Sequence, residues 1–184
     1  MNDGFSSVAL SIKLFRRFVR CQLAVSELAR LSPPETFANE DQVVLRAEML
    51  MRTGGCRCGK IRFLVEGEPL GGVACHCRDC QYMAGGSANL TWVFNDAGFK
   101  LADGVPSIYK AKPTSGGTYF CSQCGVQVFS RPDSNTTMVA IKVGAFDDAA
   151  GFKVQADMWM SAAPPWHAAH EGATQFEGNI PSDS

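Results

Sequence analysis

Seven of the eight cysteines in this 184-residue chain lie in three short motifs whose spacing is typical of metal ligation. The first motif is Cys56-Arg57-Cys58, the second is Cys75-His76-Cys77-Arg78-Asp79-Cys80, and the third is Cys121-Ser122-Gln123-Cys124. Zinc in proteins is held by such thiolates, whose sulfur atoms lie about 3.8 Å apart around a tetrahedral ion. A C-x-C or C-x-x-C turn meets that distance, so the spacing predicts zinc sites.

The number of thiolates in each motif predicts two zinc ions with different roles. Two motifs of two cysteines combine into a closed four-thiolate site, which is the usual form of structural zinc. The motif of three cysteines lies on one loop and leaves a tetrahedral ion one ligand short, as catalytic zinc sites do. The expected ligands are Cys56, Cys58, Cys121 and Cys124 for the structural ion and Cys75, Cys77 and Cys80 for the catalytic ion.

A disulfide framework is the alternative interpretation of these cysteines. Disulfide scaffolds are typically short and secreted, because such chains bury too little apolar surface to be stable without covalent links. Here 46% of the residues are hydrophobic, which suffices for an ordinary core. Zinc ligation is therefore favoured, and Cys21, outside every motif, is expected to be a small apolar residue.

The composition argues against nucleic-acid and membrane partners. The formal net charge is −1, and seven thiolates with two Zn²⁺ would make the chain more negative still, which disfavours phosphate-backbone binding. The most apolar N-terminal run, residues 8–25, is interrupted by four basic side chains, so it predicts neither a membrane span nor a secretory signal. We expect a cytoplasmic protein.

Residues 1–50 and 51–184 differ in pattern, which predicts an N-terminal extension followed by a zinc-binding domain. Residues 10–28 have apolar side chains at helical spacing, and Pro33-Pro34 would end that helix. The extension is therefore expected to be helical or disordered, and an organelle transit peptide is the alternative.

Beyond residue 54 the sequence predicts a mainly β fold of about seven short strands in an antiparallel, sandwich-like layout. Alternating or β-branched runs predict strands at 61–65, 90–94, 107–111, 118–120, 126–128, 138–144 and 153–160. Trp92 and Trp159 lie on such strands and are expected in the core. Gly59 and Gly125 directly follow cysteines, where a positive φ would turn backbone N–H groups toward the thiolates.

The three motifs, in this order, resemble the family of glutathione-dependent formaldehyde-activating enzymes, which includes the centromere protein V-type zinc domain. The resemblance extends from Gly54-Gly55-Cys56 to the tail Pro165-Trp166 and Phe176-Glu177-Gly178. It implies a zinc-pinned pair of antiparallel sheets, the β-tent, with the two ligand sets given above. It also implies a carbon–sulfur lyase that interconverts glutathione plus formaldehyde with S-hydroxymethylglutathione.

Two other functions remain open on the sequence alone. The same open site could serve a zinc enzyme of another reaction class, or the chain could be a non-catalytic, zinc-stabilised interaction module. A small thiol such as glutathione and a small aldehyde are the expected partners of the enzyme.

Five further residues are candidates for secondary roles. His76 is expected to form a hydrogen bond within the cysteine loop, because adjacent residues rarely reach the same ion. His167 and His170 have metal-like spacing but are expected in a solvated or partly packed tail. Arg78 has two open interpretations, a contact with a substrate carboxylate or a solvent-facing side chain. Trp166 follows two prolines and could wall a pocket.

Overall fold

Two β-sheets enclose an aromatic core in the computed structural model, which describes residues 51–113, 115–132 and 137–181. The smaller sheet is antiparallel with the order β1-β2-β5. Its strands are β1 (Met51–Gly55), β2 (Arg62–Glu66) and β5 (Phe99–Asp103). The mainly β, two-sheet prediction is confirmed. The predicted N-terminal helix and Cys21 lie outside the described residues.

The larger sheet has eight strands in the order β11-β10-β3-β4-β9-β8-β7-β6. These are β3 (Gly71–Cys75), β4 (Asn89–Asn95), β6 (Ser107–Tyr109), β7 (Thr118–Phe120), β8 (Gln127–Ser130), β9 (Met138–Lys142), β10 (Ala156–Met158) and β11 (Thr174–Phe176). A single short helix, α1 (Arg78–Met83), is found in the described part of the chain, beside three 3-10 turns. None of the described helices has the length and apolar content needed to cross a membrane.

The core forms where apolar side chains from alternate positions of both sheets meet. Phe63 and Val65 of β2 are buried while their neighbours are less so, as period-two alternation requires. The Phe99 ring of the small sheet packs on Phe129 of the large sheet with centroids 4.7 Å apart. Trp92 is buried, as predicted, with its centroid 5.4 Å from Phe146. Such tilted and edge-on contacts between rings add to the stabilisation from burial.

The edge of the large sheet differs from the antiparallel layout expected there. Strand β10 runs parallel to both β3 and β11, because the chain returns to this edge after a long connection. The alternating run 153–160 is a strand only over Ala156–Met158. Trp159 then adopts a left-handed backbone (φ 59°), and its exposed indole donates to Asn179. The prediction that Trp159 lies in the core is therefore wrong.

Candidate metal centres and their surroundings

The first and third cysteine motifs meet at one point in the fold. The sulfur atoms of Cys56, Cys58, Cys121 and Cys124 all lie within 4.8 Å of one another. Those of Cys56 and Cys58 are 3.5 Å apart and those of Cys58 and Cys121 are 3.7 Å apart, close to the separation around tetrahedral zinc. Cys56 and Cys121 are buried in the core. Four sulfur donors at these distances fit a zinc ion.

The two motifs share several backbone hydrogen bonds, although their turns differ by one residue. In each, the first cysteine donates its N–H to a carbonyl five residues on, at 3.0 Å for Ile61 and 2.9 Å for Val126. The predicted positive φ is found at both glycines, +78° at Gly59 and +72° at Gly125. Their N–H groups donate to the carbonyl of the first cysteine of the same motif, which closes each turn.

Backbone N–H groups around this four-cysteine set favour the thiolate form that metals bind. The N–H of Ile61 donates to the sulfur of Cys56 at 3.3 Å. A backbone hydrogen bond from Val126 lowers the pKa of Cys124 to about 6. Because a hydrogen bond to the charged form stabilises that form, Cys124 loses its proton more readily. At Cys58 a backbone hydrogen bond from Lys60 acts in the same sense, but desolvation and the neighbouring thiols outweigh it and raise the pKa to about 11. All seven motif cysteines are free of disulfides in the structure.

The second motif forms a separate three-sulfur cluster at the end of β3. Cys75 is the last residue of β3, Cys77 directly precedes α1, and Cys80 lies in the first turn of α1. Their sulfur atoms lie within 4.8 Å of one another and the residues are half-buried. A hydrogen bond with Cys80 lowers the pKa of Cys75 to about 6, while the same bond raises the pKa of Cys80. Three soft donors fit zinc and supply one ligand fewer than its tetrahedral geometry holds.

His76 lies between two of these cysteines, yet its ring points away to a buried carboxylate. Its Nε2 is 2.8 Å from Oδ1 of Asp157 on β10, and both side chains are fully buried. The predicted bond within the cysteine loop is therefore wrong, because the partner is 81 positions away. Burial of Asp157 disfavours its charge, but hydrogen bonds from His76 and His170 outweigh this and lower its pKa.

The two C-terminal histidines also belong to this network. His170 donates its backbone N–H to Oδ2 of Asp157 at 2.8 Å, and its Nδ1 is 2.9 Å from Oδ1. The ring of His167 packs edge-on against His76 with centroids 4.7 Å apart, and its Nε2 is 2.9 Å from Oγ of Ser87. Both are partly buried, as expected of a packed tail. Asp157 had no sequence feature to single it out.

Gln81 fixes the cysteine loop from the other side. Its amide Nε2 donates to the carbonyl of His76 and to that of Ala162, both at 2.7 Å. Its Oε1 accepts from Arg78 at 3.0 Å. Arg78 is exposed and its guanidinium lies 4.2 Å from the ring centroid of Tyr82. Trp166 is 68% exposed, which removes it from any enclosed pocket wall.

A lysine that has no carboxylate partner among the described residues lies beside the three-cysteine cluster. Lys142 ends β9 with only 8% of its surface exposed, and burial lowers its pKa. Charges on Cys75, Cys77 and Cys80 act on it in the opposite sense. The one sequence feature that marks it is a cation at the end of an otherwise apolar strand.

Lys142 also lines a groove of about 440 Å³ between α1 and the third motif. The groove is lined by Met83, Ala84, Ala88, Asn89, Leu90, Gly125, Gln127, Lys142, Val143 and Gly144. A second groove of about 490 Å³ is lined mostly by exposed residues, from Lys153 to Gln155 and from His170 to Gly172. The first groove includes Lys142, which also lies beside the three-cysteine cluster.

Comparisons with known proteins find a matching family and a similar solved structure. A sequence model of the family described as glutathione-dependent formaldehyde-activating enzyme matches residues 51–162, which include all seven motif cysteines. A solved structure of a Rhodobacter sphaeroides protein is similar at 20% identity with a TM-score of 0.45. That similarity covers 52% of this chain and 87% of the other.

Proposed function

The chain belongs to the family of glutathione-dependent formaldehyde-activating enzymes, and from this premise we propose that it is a zinc-dependent carbon–sulfur lyase. The enzyme would join glutathione and formaldehyde into S-hydroxymethylglutathione, and it would also catalyse the reverse reaction. A bond forms between the thiol sulfur and the carbonyl carbon, the carbon–oxygen double bond becomes single, and the thiol proton ends on the oxygen. The observation that supports an enzyme is the three-cysteine cluster, which is separate from the four-cysteine set.

We propose that Cys56, Cys58, Cys121 and Cys124 hold a structural zinc ion, while Cys75, Cys77 and Cys80 hold a catalytic one. Zinc at the second site would act as a Lewis acid that favours the thiolate form of a bound thiol.

The protein's own residues contribute position and charge. Gln81 and the His76–Asp157 pair hold the cysteine loop from two sides, so the three sulfurs keep one arrangement during turnover. Lys142 supplies a positive charge near a site that gains negative charge when a thiolate enters. Such fixed charges lower a barrier because they need no reorganisation as the reaction proceeds.

The test is the rate of exchange between glutathione, formaldehyde and the adduct, measured by NMR against the spontaneous reaction. The wild-type chain with zinc should accelerate the exchange. Cys77→Ser should return it to the spontaneous rate, while Ser122→Ala, at an exposed position between the cysteines of the third motif, should retain it. If the wild-type and Cys77→Ser rates are equal, the chain is no lyase for this substrate.

A further inference from the structure

The groove beside the three-cysteine cluster contains two buried polar side chains that no described residue satisfies. Lys142 is 8% exposed and Asn89 is 7% exposed. Neither side chain forms a hydrogen bond or ion pair with any residue in 51–113, 115–132 or 137–181. Both residues line the groove, and neither polar group is among the fully buried, unpaired atoms of the described structure, so the ammonium and the amide reach the groove. Donors that face a groove without a protein partner are available to bind a ligand.

Strand register brings these two side chains to the same face as the metal cluster. Cys75 lies opposite Asn89 in the β3–β4 ladder, and Thr91 lies opposite Lys142 in the β4–β9 ladder. Since residues two apart on a strand share a face, Cys75, Asn89 and Lys142 project to the same side of the sheet. The groove that Asn89 and Lys142 line has a volume within the range of about 300–1,000 Å³ typical of small-molecule sites.

We propose that Lys142 and Asn89 bind the carboxylate of a small thiol substrate whose sulfur approaches the Cys75–Cys77–Cys80 cluster. This inference rests on the proposed function and adds a basis for the choice of thiol substrate. The ammonium group offers three donors and the amide two, which suit the two oxygens of a carboxylate. Three thiolates with Zn²⁺ carry a net charge of −1, so an anionic thiol needs a cation nearby. Lys142 provides that cation. Together, Lys142 and Asn89 would select thiols that carry a carboxylate over neutral thiols.

The experiment compares three probes on the zinc-loaded full-length chain: glutathione, the neutral thiol 2-mercaptoethanol, and S-methylglutathione, which keeps the carboxylates but has no free thiol. Dissociation constants come from isothermal titration calorimetry, with 2-mercaptoethanol measured by displacement of glutathione. Lys142→Met removes the charge with little change in length, and Lys153→Met is the matched control at an exposed lysine. Zinc content and circular dichroism are recorded for each variant.

We expect Lys142→Met to weaken glutathione binding by about tenfold or more, since a charge-assisted hydrogen bond in a buried site is lost. The affinity for 2-mercaptoethanol should fall by no more than about threefold, because that thiol loses only the nearby positive charge and has no carboxylate to pair. Lys153→Met should leave the affinities for both thiols unchanged. Equal weakening of both thiols would overturn the proposal, because Lys142 would then act on the cysteine cluster alone. No weakening of either thiol would overturn it as well.

S-Methylglutathione separates this proposal from the proposed function. If the wild-type chain binds neither thiol, the lyase assignment fails, and the carboxylate site is judged on S-methylglutathione alone. Binding that depends on Lys142 supports the site, while no binding, or binding indifferent to Lys142, overturns it. Should Lys142→Met not fold, Asn89→Ala takes its place, because that amide has no described partner to lose. Asn89→Ala must weaken the binding of glutathione more than that of 2-mercaptoethanol, or the proposal fails.

Discussion

The carboxylate of Asp157 and the imidazole of His76 form a fully buried pair, with Oδ1 of the aspartate 2.8 Å from Nε2 of the histidine. Because a carboxylate accepts, Nε2 donates in this bond, while Nδ1 has no hydrogen-bond partner in the described structure. The pair joins β10 to the loop that carries the second cysteine motif. The position of that loop therefore depends on a residue far along the chain.

Replacement of Asp157 by asparagine should destabilise the protein by about 1–3 kcal/mol, because an amide offers one acceptor oxygen where three donors now point. Urea unfolding of the zinc-loaded protein measures the loss. Asp148→Asn, at an exposed position, is the control and should change stability by less than about 0.5 kcal/mol. If the two variants unfold at the same urea concentration, the buried pair contributes no stability.

The two cysteine clusters should respond differently to loss of one ligand. The four-cysteine set joins Cys58 to Cys121, 63 positions apart, so Cys121→Ser should unfold or aggregate the chain. Cys77→Ser affects a loop of six residues and should leave a folded protein with one zinc ion instead of two. Elemental analysis and circular dichroism measure both effects. Unfolding by both variants alike would contradict the division into structural and catalytic sites.

The Asp147–Arg62 ion pair should make stability depend on acid pH. Nη1 of Arg62 donates to Oδ1 of Asp147 at 2.9 Å, and this bond lowers the pKa of Asp147. A lowered folded-state pKa gives stability that is present above the unfolded-state value, about 3.9, and is lost as pH falls through the folded-state value.

Wild-type protein should therefore be more stable than Asp147→Asn at pH 6, by about 0.5 kcal/mol for a partly exposed pair. The difference should shrink as the pH falls below about 4. Urea unfolding of both zinc-loaded proteins at each pH isolates this residue, because acid release of metal affects both equally. A difference that stays constant down to the acid limit would show that the pKa of Asp147 is not lowered.

Replacement of the Gln81 side-chain amide by a carboxylate should destabilise the protein. Gln81→Glu would set a carboxylate oxygen against the carbonyls of His76 and Ala162, where a donor now lies 2.7 Å from each. We expect a loss of at least about 2 kcal/mol in unfolding free energy and weaker zinc retention by the second motif. The exposed Gln123→Glu is the matched control. Equal zinc content and stability in both variants would argue against Gln81 as a support of the loop.

Sequence reasoning succeeded where the determinants are local. The three-cysteine cluster follows from spacing within one short motif, and the strand prediction at 90–94 follows from alternation and is confirmed by β4. The four-cysteine set is predicted from the number of thiolates in the other two motifs, because two pairs complete one tetrahedral site. It failed where distant residues meet. Trp159 breaks its strand through a left-handed backbone that alternation does not reveal. Asp157 and Lys142 gain their roles only from the pairing of strands, and no single stretch of sequence contains that pairing.

The parallel pairing of β10 with β3 also bears on the order in which the molecule assembles as it is synthesised. The loop from Cys75 to Cys80 closes on contacts within six residues, so it can form as soon as it leaves the ribosome. Asp157 emerges much later, and contacts of such long sequence separation form slowly. A nascent chain that ends before β10 would contain the complete second motif without its buried aspartate. The segment that begins with β10 therefore completes the support of the cysteine loop late in synthesis.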